Sequence, residues 1–76
     1  MNSKQLKKRI NSMVSHLTFE YQGKSCGVDP LSLNHFDIWC ADEFATLDSI
    51  EKVMNTPFFD GKPLKDIAQN ITLIEE

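Results

Sequence analysis

The spacing of apolar residues changes at Leu17, and this change constrains the fold more than any other feature of the sequence. Before it, the apolar residues recur at the three- and four-residue steps of an amphipathic helix: Leu6, Ile10, Met13, Val14 and Leu17. After it, apolar and polar residues alternate through residues 17–22, as in a strand with one solvated face. The sequence therefore predicts an N-terminal amphipathic helix, with Ser3 as its N-cap, leading into a sheet.

Two further alternating runs predict an antiparallel meander of three strands. Gly23-Lys24 can form a two-residue turn after the first strand, and Asp29-Pro30 ends the second strand because proline cannot donate to a ladder. The predicted cross-strand partners are Tyr21 with Cys26 and Phe19 with Val28. Residues 36–40 form the third strand, and residues 41–45 are predicted to be a polar exit loop.

Helical signals return in the second half of the chain. A second helix begins near Asp48, where Asp48 and Glu51 have capping-box spacing, and residues 55–57 end it. Pro63 suits the first position of a third short helix. Residues 71–74 either extend that helix or form a short final strand, and their β-branched content favours the strand. The expectation is one small α+β domain over residues 1–76.

Charge is distributed unevenly along the 76 residues, although the net charge is only −3. Residues 1–19 contain no acid and four basic residues: Lys4, Lys7, Lys8 and Arg9. Five acidic residues lie within residues 37–51: Asp37, Asp42, Glu43, Asp48 and Glu51. We expect the basic helix to lie against an acidic surface of its own chain or of a partner, because an acidic domain repels polyanions at long range. Nucleic-acid binding through the four basic residues is the alternative.

The cellular location follows from the absence of targeting signals. The N-terminal apolar residues are spread along a helix rather than gathered into a signal-peptide core, and no apolar run is long enough to cross a membrane. Cys26 and Cys40 are too few for a disulfide framework, so the sequence predicts two free, buried cysteines in a cytoplasmic protein.

A metal site is not predicted from the cysteines. Cys26, His35 and Cys40 lack the close ligand pairs that structural zinc sites present, and we therefore expect no metal and no cofactor.

The residues that we expect to bind a partner include three on the third strand. His35, Asp37 and Trp39 alternate and therefore share a face, and tryptophan is enriched at protein interfaces. Phe58 and Phe59 add apolar surface that a small core need not bury completely.

The leading functional prediction is a non-catalytic interaction or accessory protein that forms a homodimer and binds through these five residues. A small enzyme that uses His35 and Asp37 is a more remote alternative, because an oriented histidine can act as a general base.

Overall fold

The computed structural model describes residues 2–12 and 16–75, and Met13 and Val14 of the predicted helix lie outside these ranges. The elements, in chain order, are α1 (Ser3–Asn11), β1 (Leu17–Tyr21), β2 (Lys24–Ser32), β3 (His35–Cys40), β4 (Glu43–Leu47), α2 (Ile50–Asn55), α3 (Leu64–Ile67), a 3-10 turn (Ala68–Asn70) and β5 (Thr72–Glu75). The α+β class is confirmed. Within the described part of the chain, no helix has the length and apolar character needed to cross a membrane.

The sheet has five strands rather than the three of the predicted meander. Its order is β4-β3-β2-β1-β5, and every neighbouring pair is antiparallel. Strand β5 is the predicted short final strand, and it pairs with β1. The prediction of an exit loop at residues 41–45 is wrong because β4 begins at Glu43 and forms one edge of the sheet. An edge strand is half-exposed, so its sequence lacks the clear apolar alternation of an inner strand.

Strand β2 continues past its predicted end at Pro30. Pro30 pairs with Phe36 of β3, and the ladder becomes irregular between Pro30 and Ser32. A bulge of this kind is one of the few places where a sheet accepts proline, because the missing N–H costs no regular ladder bond there.

The β1–β2 hairpin turns one residue earlier than predicted. The turn is Gln22-Gly23, and both residues adopt left-handed backbone conformations, with φ of 51° and 78°. Positive φ at both central positions defines the turn type whose twist matches that of paired strands. Phe19 consequently lies opposite Cys26, and Tyr21 lies opposite Lys24. The predicted pairing was wrong by two residues, and a shift of two leaves each side chain on its expected face.

The helix caps also differ from the predicted ones. Asn2, not Ser3, caps α1, because its Oδ1 accepts a hydrogen bond from the Gln5 backbone N–H at 2.8 Å while Gln5 Oε1 accepts one from the Asn2 N–H at 3.1 Å. In α2 the cap is Ser49 rather than Asp48, and Ser49 Oγ accepts a hydrogen bond from the Lys52 backbone N–H. Pro63 immediately precedes α3 instead of opening it.

The three helices contribute to one core together with one face of the sheet. The largest fully buried side chains are Phe19, Phe36, Phe59, Leu6, Ile10, Leu17, Ile38, Leu64, Ile67, Val28, Val53 and Cys26. Phe59 is 0% exposed, and its ring lies 5.6 Å from that of Phe19 and 5.2 Å from that of Phe58, between ring centroids. Phe59 therefore stabilises the core and has no surface to offer a partner, whereas Phe58 is only partly buried.

Truncating the two neighbouring phenylalanines should have unequal effects on stability. We expect Phe59→Ala to cost about 3–5 kcal/mol, because it empties a fully buried site. The total free energy of unfolding of a domain of this length is roughly 4–11 kcal/mol. Phe59→Leu should lower it by about 1–2 kcal/mol, and this milder variant should still fold. Phe58→Ala should cost less than about 2 kcal/mol, since part of that ring is already in water. Urea unfolding followed by circular dichroism measures all three, and an equal cost for Phe58→Ala and Phe59→Ala would contradict this assignment.

Candidate functional site

One face of the sheet carries none of the described helices, and we call it the open face. On β3 the buried residues Phe36, Ile38 and Cys40 point toward the helices, so the alternating residues point the other way. The open face comprises His35, Asp37 and Trp39 of β3, Gly27 and Asp29 of β2, Phe44 and Thr46 of β4, and Thr18 and Glu20 of β1. All three β3 residues of the predicted site thus lie together on this face.

The aromatic part of the open face is built on a glycine. Trp39 lies directly opposite Gly27 on β2, and a Cβ added to Gly27 would overlap the ring atoms Cε2, Cζ2 and Cη2 of Trp39. The indole therefore lies flat across β2, and only a residue without a side chain permits this close approach. Phe44 is opposite Trp39 on the other side and is 65% exposed.

The sequence-based site did not include Phe44, which lies in residues 41–45, the segment predicted to be a loop. The sequence feature that could have identified it is the two-residue spacing of Phe44 and Thr46, which places both side chains on one face of a strand. Phe44 is exposed at the surface, whereas Phe59, which the sequence predicted to be there, is buried.

Polar groups on the open face centre on the Asp37 carboxylate. Asp37 Oδ1 accepts a hydrogen bond from Thr46 Oγ1 at 2.9 Å and lies 3.1 Å from His35 Nε2. In a nucleophilic triad the histidine lies between the hydroxyl and the carboxylate, so that it can take the hydroxyl proton. Here the carboxylate lies between the other two groups. This order holds His35 and Thr46 in place and does not activate Thr46.

Asp29 and Asp37 are direct partners across β2 and β3. Both side chains are partly buried on the open face. Like charges placed directly opposite each other weaken a sheet, so this pair is an unfavourable local arrangement in the isolated chain.

The two cysteines are joined, which corrects the expectation that both are free. Cys26 and Cys40 are direct partners across β2 and β3, with Cα atoms 4.0 Å apart, and they form a disulfide on the buried side of the sheet. The sequence predicted a buried position for Cys26, but their contact depends on the β2–β3 register.

The basic residues of α1 do not form an uninterrupted positive surface. Lys7 Nζ pairs with Glu51 Oε2 of α2 at 3.1 Å, so one charge of the predicted basic helix meets the predicted acidic stretch of the same chain. Lys4 and Lys8 are exposed, and Arg9 is half-buried. An exposed pair of this kind adds less than about 1 kcal/mol to stability, but it neutralises one cation that a polyanion would need.

The surface formed by residues 2–12 and 16–75 contains no pocket. In the same ranges, no group of three or more His, Cys, Asp or Glu residues could hold a metal ion. No protein-family model, no curated protein and no solved structure matches this chain. The open face is therefore the candidate functional site on its own geometry.

Because Trp39 packs on Gly27, the effect of Gly27→Ala on the free energy of unfolding should lose or reverse its sign when Trp39 is removed. Gly27→Ala in the native chain should destabilise by about 1–3 kcal/mol, because the new methyl group displaces the indole. In a Trp39→Ala background the same substitution should be neutral or should stabilise by up to about 1 kcal/mol, since alanine loses less backbone entropy than glycine.

Urea unfolding of the four proteins measures this cycle. In the two proteins that retain it, Trp39 is the sole tryptophan, so its emission should shift to the red when Gly27→Ala lifts the ring into water. An equal cost of Gly27→Ala in both backgrounds would contradict the proposed packing.

Proposed function

We propose that this chain is a small non-catalytic interaction protein that binds a protein partner through the open face. The observation that carries the proposal is that Phe44, which is 65% exposed, and the partly buried Trp39 occupy directly opposite positions of β4 and β3 on a sheet face that no described helix covers. Exposed contiguous apolar surface beside polar groups is typical of protein interfaces, and tryptophan is enriched among the residues that dominate binding energy. The hydrogen-bond order around Asp37 supports a binding role rather than a catalytic one.

We further propose that the protein forms a homodimer through the edge strand β4. This strand has neighbours on one side only, contains no proline, and has a single charged residue, Glu43, at its end. Unprotected edges of this type pair with other strands. Antiparallel pairing about a two-fold axis at Ala45 would set Phe44 of one copy opposite Thr46 of the other. The open faces of both copies would then join into one surface.

Substituting Phe44 should separate the subunits without unfolding them. We expect Phe44→Asp to raise the dimer dissociation constant at least about 30-fold, as for a central aromatic contact. Leu33→Asp is the matched control, because Leu33 is 69% exposed but lies in the β2–β3 turn, outside β4. It should change the constant less than about threefold. Light scattering after size exclusion, over a range of protein concentration, measures both.

Two results would contradict the dimer. One is a wild-type monomer at all concentrations, and the other is equal weakening by the two variants. Aspartate is a poor strand former, so Phe44→Asp could weaken the dimer by weakening β4 itself. Phe44→Thr excludes this explanation, because threonine favours strands and its variant should weaken the dimer as well.

Nucleic-acid binding through Lys4, Lys7, Lys8 and Arg9 has less support, because Lys7 already pairs with Glu51. The same scattering experiment with added nucleic acid tests it. Migration of the wild-type chain with the nucleic acid at low salt, lost on Lys4→Glu with Lys8→Glu, would replace our proposal with this alternative.

A cytoplasmic location is also part of the proposal, and the paired cysteines make it testable. Cys26 and Cys40 are joined in the structure, whereas a reducing compartment keeps such pairs as thiols. A cytoplasmic protein should therefore carry this bond reduced in the cell and give two alkylatable thiols when it is taken from its host with thiols trapped at lysis. A disulfide in that sample would contradict the cytoplasmic location and leave the proposed interface unaffected.

A further inference from the structure

The carboxylate of Asp29 has no partner among the described residues, and it faces a second carboxylate. Asp37, opposite it on β3, is held by His35 and Thr46, but no described side chain donates to Asp29 or forms an ion pair with it. Both acids are partly buried on the open face. Two carboxylates directly opposite each other on neighbouring strands repel, and a cation from outside would reduce that repulsion.

An aromatic ring borders this acidic pair. Trp39 follows Asp37 by two residues on the same strand and the same face, and its indole lies across Gly27, two residues before Asp29. Indole face and carboxylates are therefore adjacent on two neighbouring strands, and the strands hold them in a fixed relation.

We infer that Asp29, Asp37 and Trp39 together bind an arginine side chain of a protein partner. The inference rests on the proposed function, since it names the chemistry of what the open face binds. A guanidinium group is planar, donates in parallel to carboxylate oxygens and stacks on aromatic rings, so it satisfies the acids and covers the indole at once. An ammonium group pairs with the acids but stacks less well. A purely apolar partner would bury the carboxylates without a counter-charge, which is costly.

A second copy of this chain is a poorer occupant than another protein. The chain has a single arginine, Arg9, which is half-buried on α1, and α1 packs in the helix layer on the other side of the sheet. Dimerisation through β4 extends the sheet sideways and leaves Asp29 uncovered, because β3 separates β2 from that edge. The arginine site and the dimer contact are therefore different surfaces.

Titration with short blocked peptides tests the inference on the full chain. The probes are three tripeptides with glycine on both sides of arginine, lysine or citrulline, the last being a neutral isostere of arginine. Nuclear magnetic resonance follows the indole N–H of Trp39, which gives one signal because the chain has one tryptophan. We expect saturable shifts with the arginine peptide, binding of the lysine peptide about two- to fivefold weaker, and no saturable shift with citrulline.

Two isosteric variants distinguish binding at this site from a general effect of the net charge. Asp29→Asn and Asp66→Asn change the net charge equally, but Asp66 is exposed on α3, in the helix layer. Asp29→Asn should weaken arginine binding about tenfold, as when a charged hydrogen-bond partner is lost. Asp66→Asn should weaken it less than twofold. Asp29→Asn should also lower the equilibrium constant for unfolding by up to about fivefold, because it removes the opposition of charges.

Absence of a saturable shift with arginine would overturn the inference, as would equal effects of the two variants. These failures are distinguishable from failure of the proposed dimer, which is measured by light scattering on the same samples. Asp29→Asn should retain the wild-type dimer mass, and Phe44→Asp should lose the dimer while its Trp39 signal still responds to the arginine peptide.

Discussion

The structure depends on the packing of one thin helical layer against one face of a five-stranded sheet. The helices have nine, six and four residues, and together they bury the inner side chains of the central strands. These helices form one layer, and with the sheet they enclose a single core. Within residues 2–12 and 16–75 no element covers the outer face of the sheet, and everything we propose about function follows from that exposure.

The β2–β3 ladder determines what the two faces contain. On the buried side of the sheet, this ladder places Cys26 opposite Cys40. On the open face, it places Gly27 opposite Trp39 and, two residues further along each strand, Asp29 opposite Asp37. The indole packed on Gly27 gives the open face apolar surface, and the opposed carboxylates of Asp29 and Asp37 give it negative charge. An arrangement that is locally unfavourable persists where the surrounding ladder holds it in place, and such places are frequent in binding sites.

Prediction from the sequence succeeded where the evidence was local. The alternation of residues 35–40 correctly put His35, Asp37 and Trp39 on one face, and β-branched content correctly favoured a final strand. It failed at the edge strand β4, whose half-exposed residues carry little pattern, and Phe44 of that strand was not among the predicted site residues. It also proposed a surface role for Phe59, although that ring fills the core beside Phe19.

The sequence by itself determined the class of fold, the order of its main helices and inner strands, and the face on which most strand residues lie, because periods of 3.6 and 2 are properties of neighbouring residues. Only the tertiary structure decided which residues meet across strands: the indole over Gly27, the acid pair, and the joined cysteines. The β2–β3 partners depend on the irregularity after Pro30, and the β1–β2 partners depend on the positive φ of Gln22. A shift of two residues preserves every face while changing every contact, so the alternation that predicts a strand cannot specify its partners.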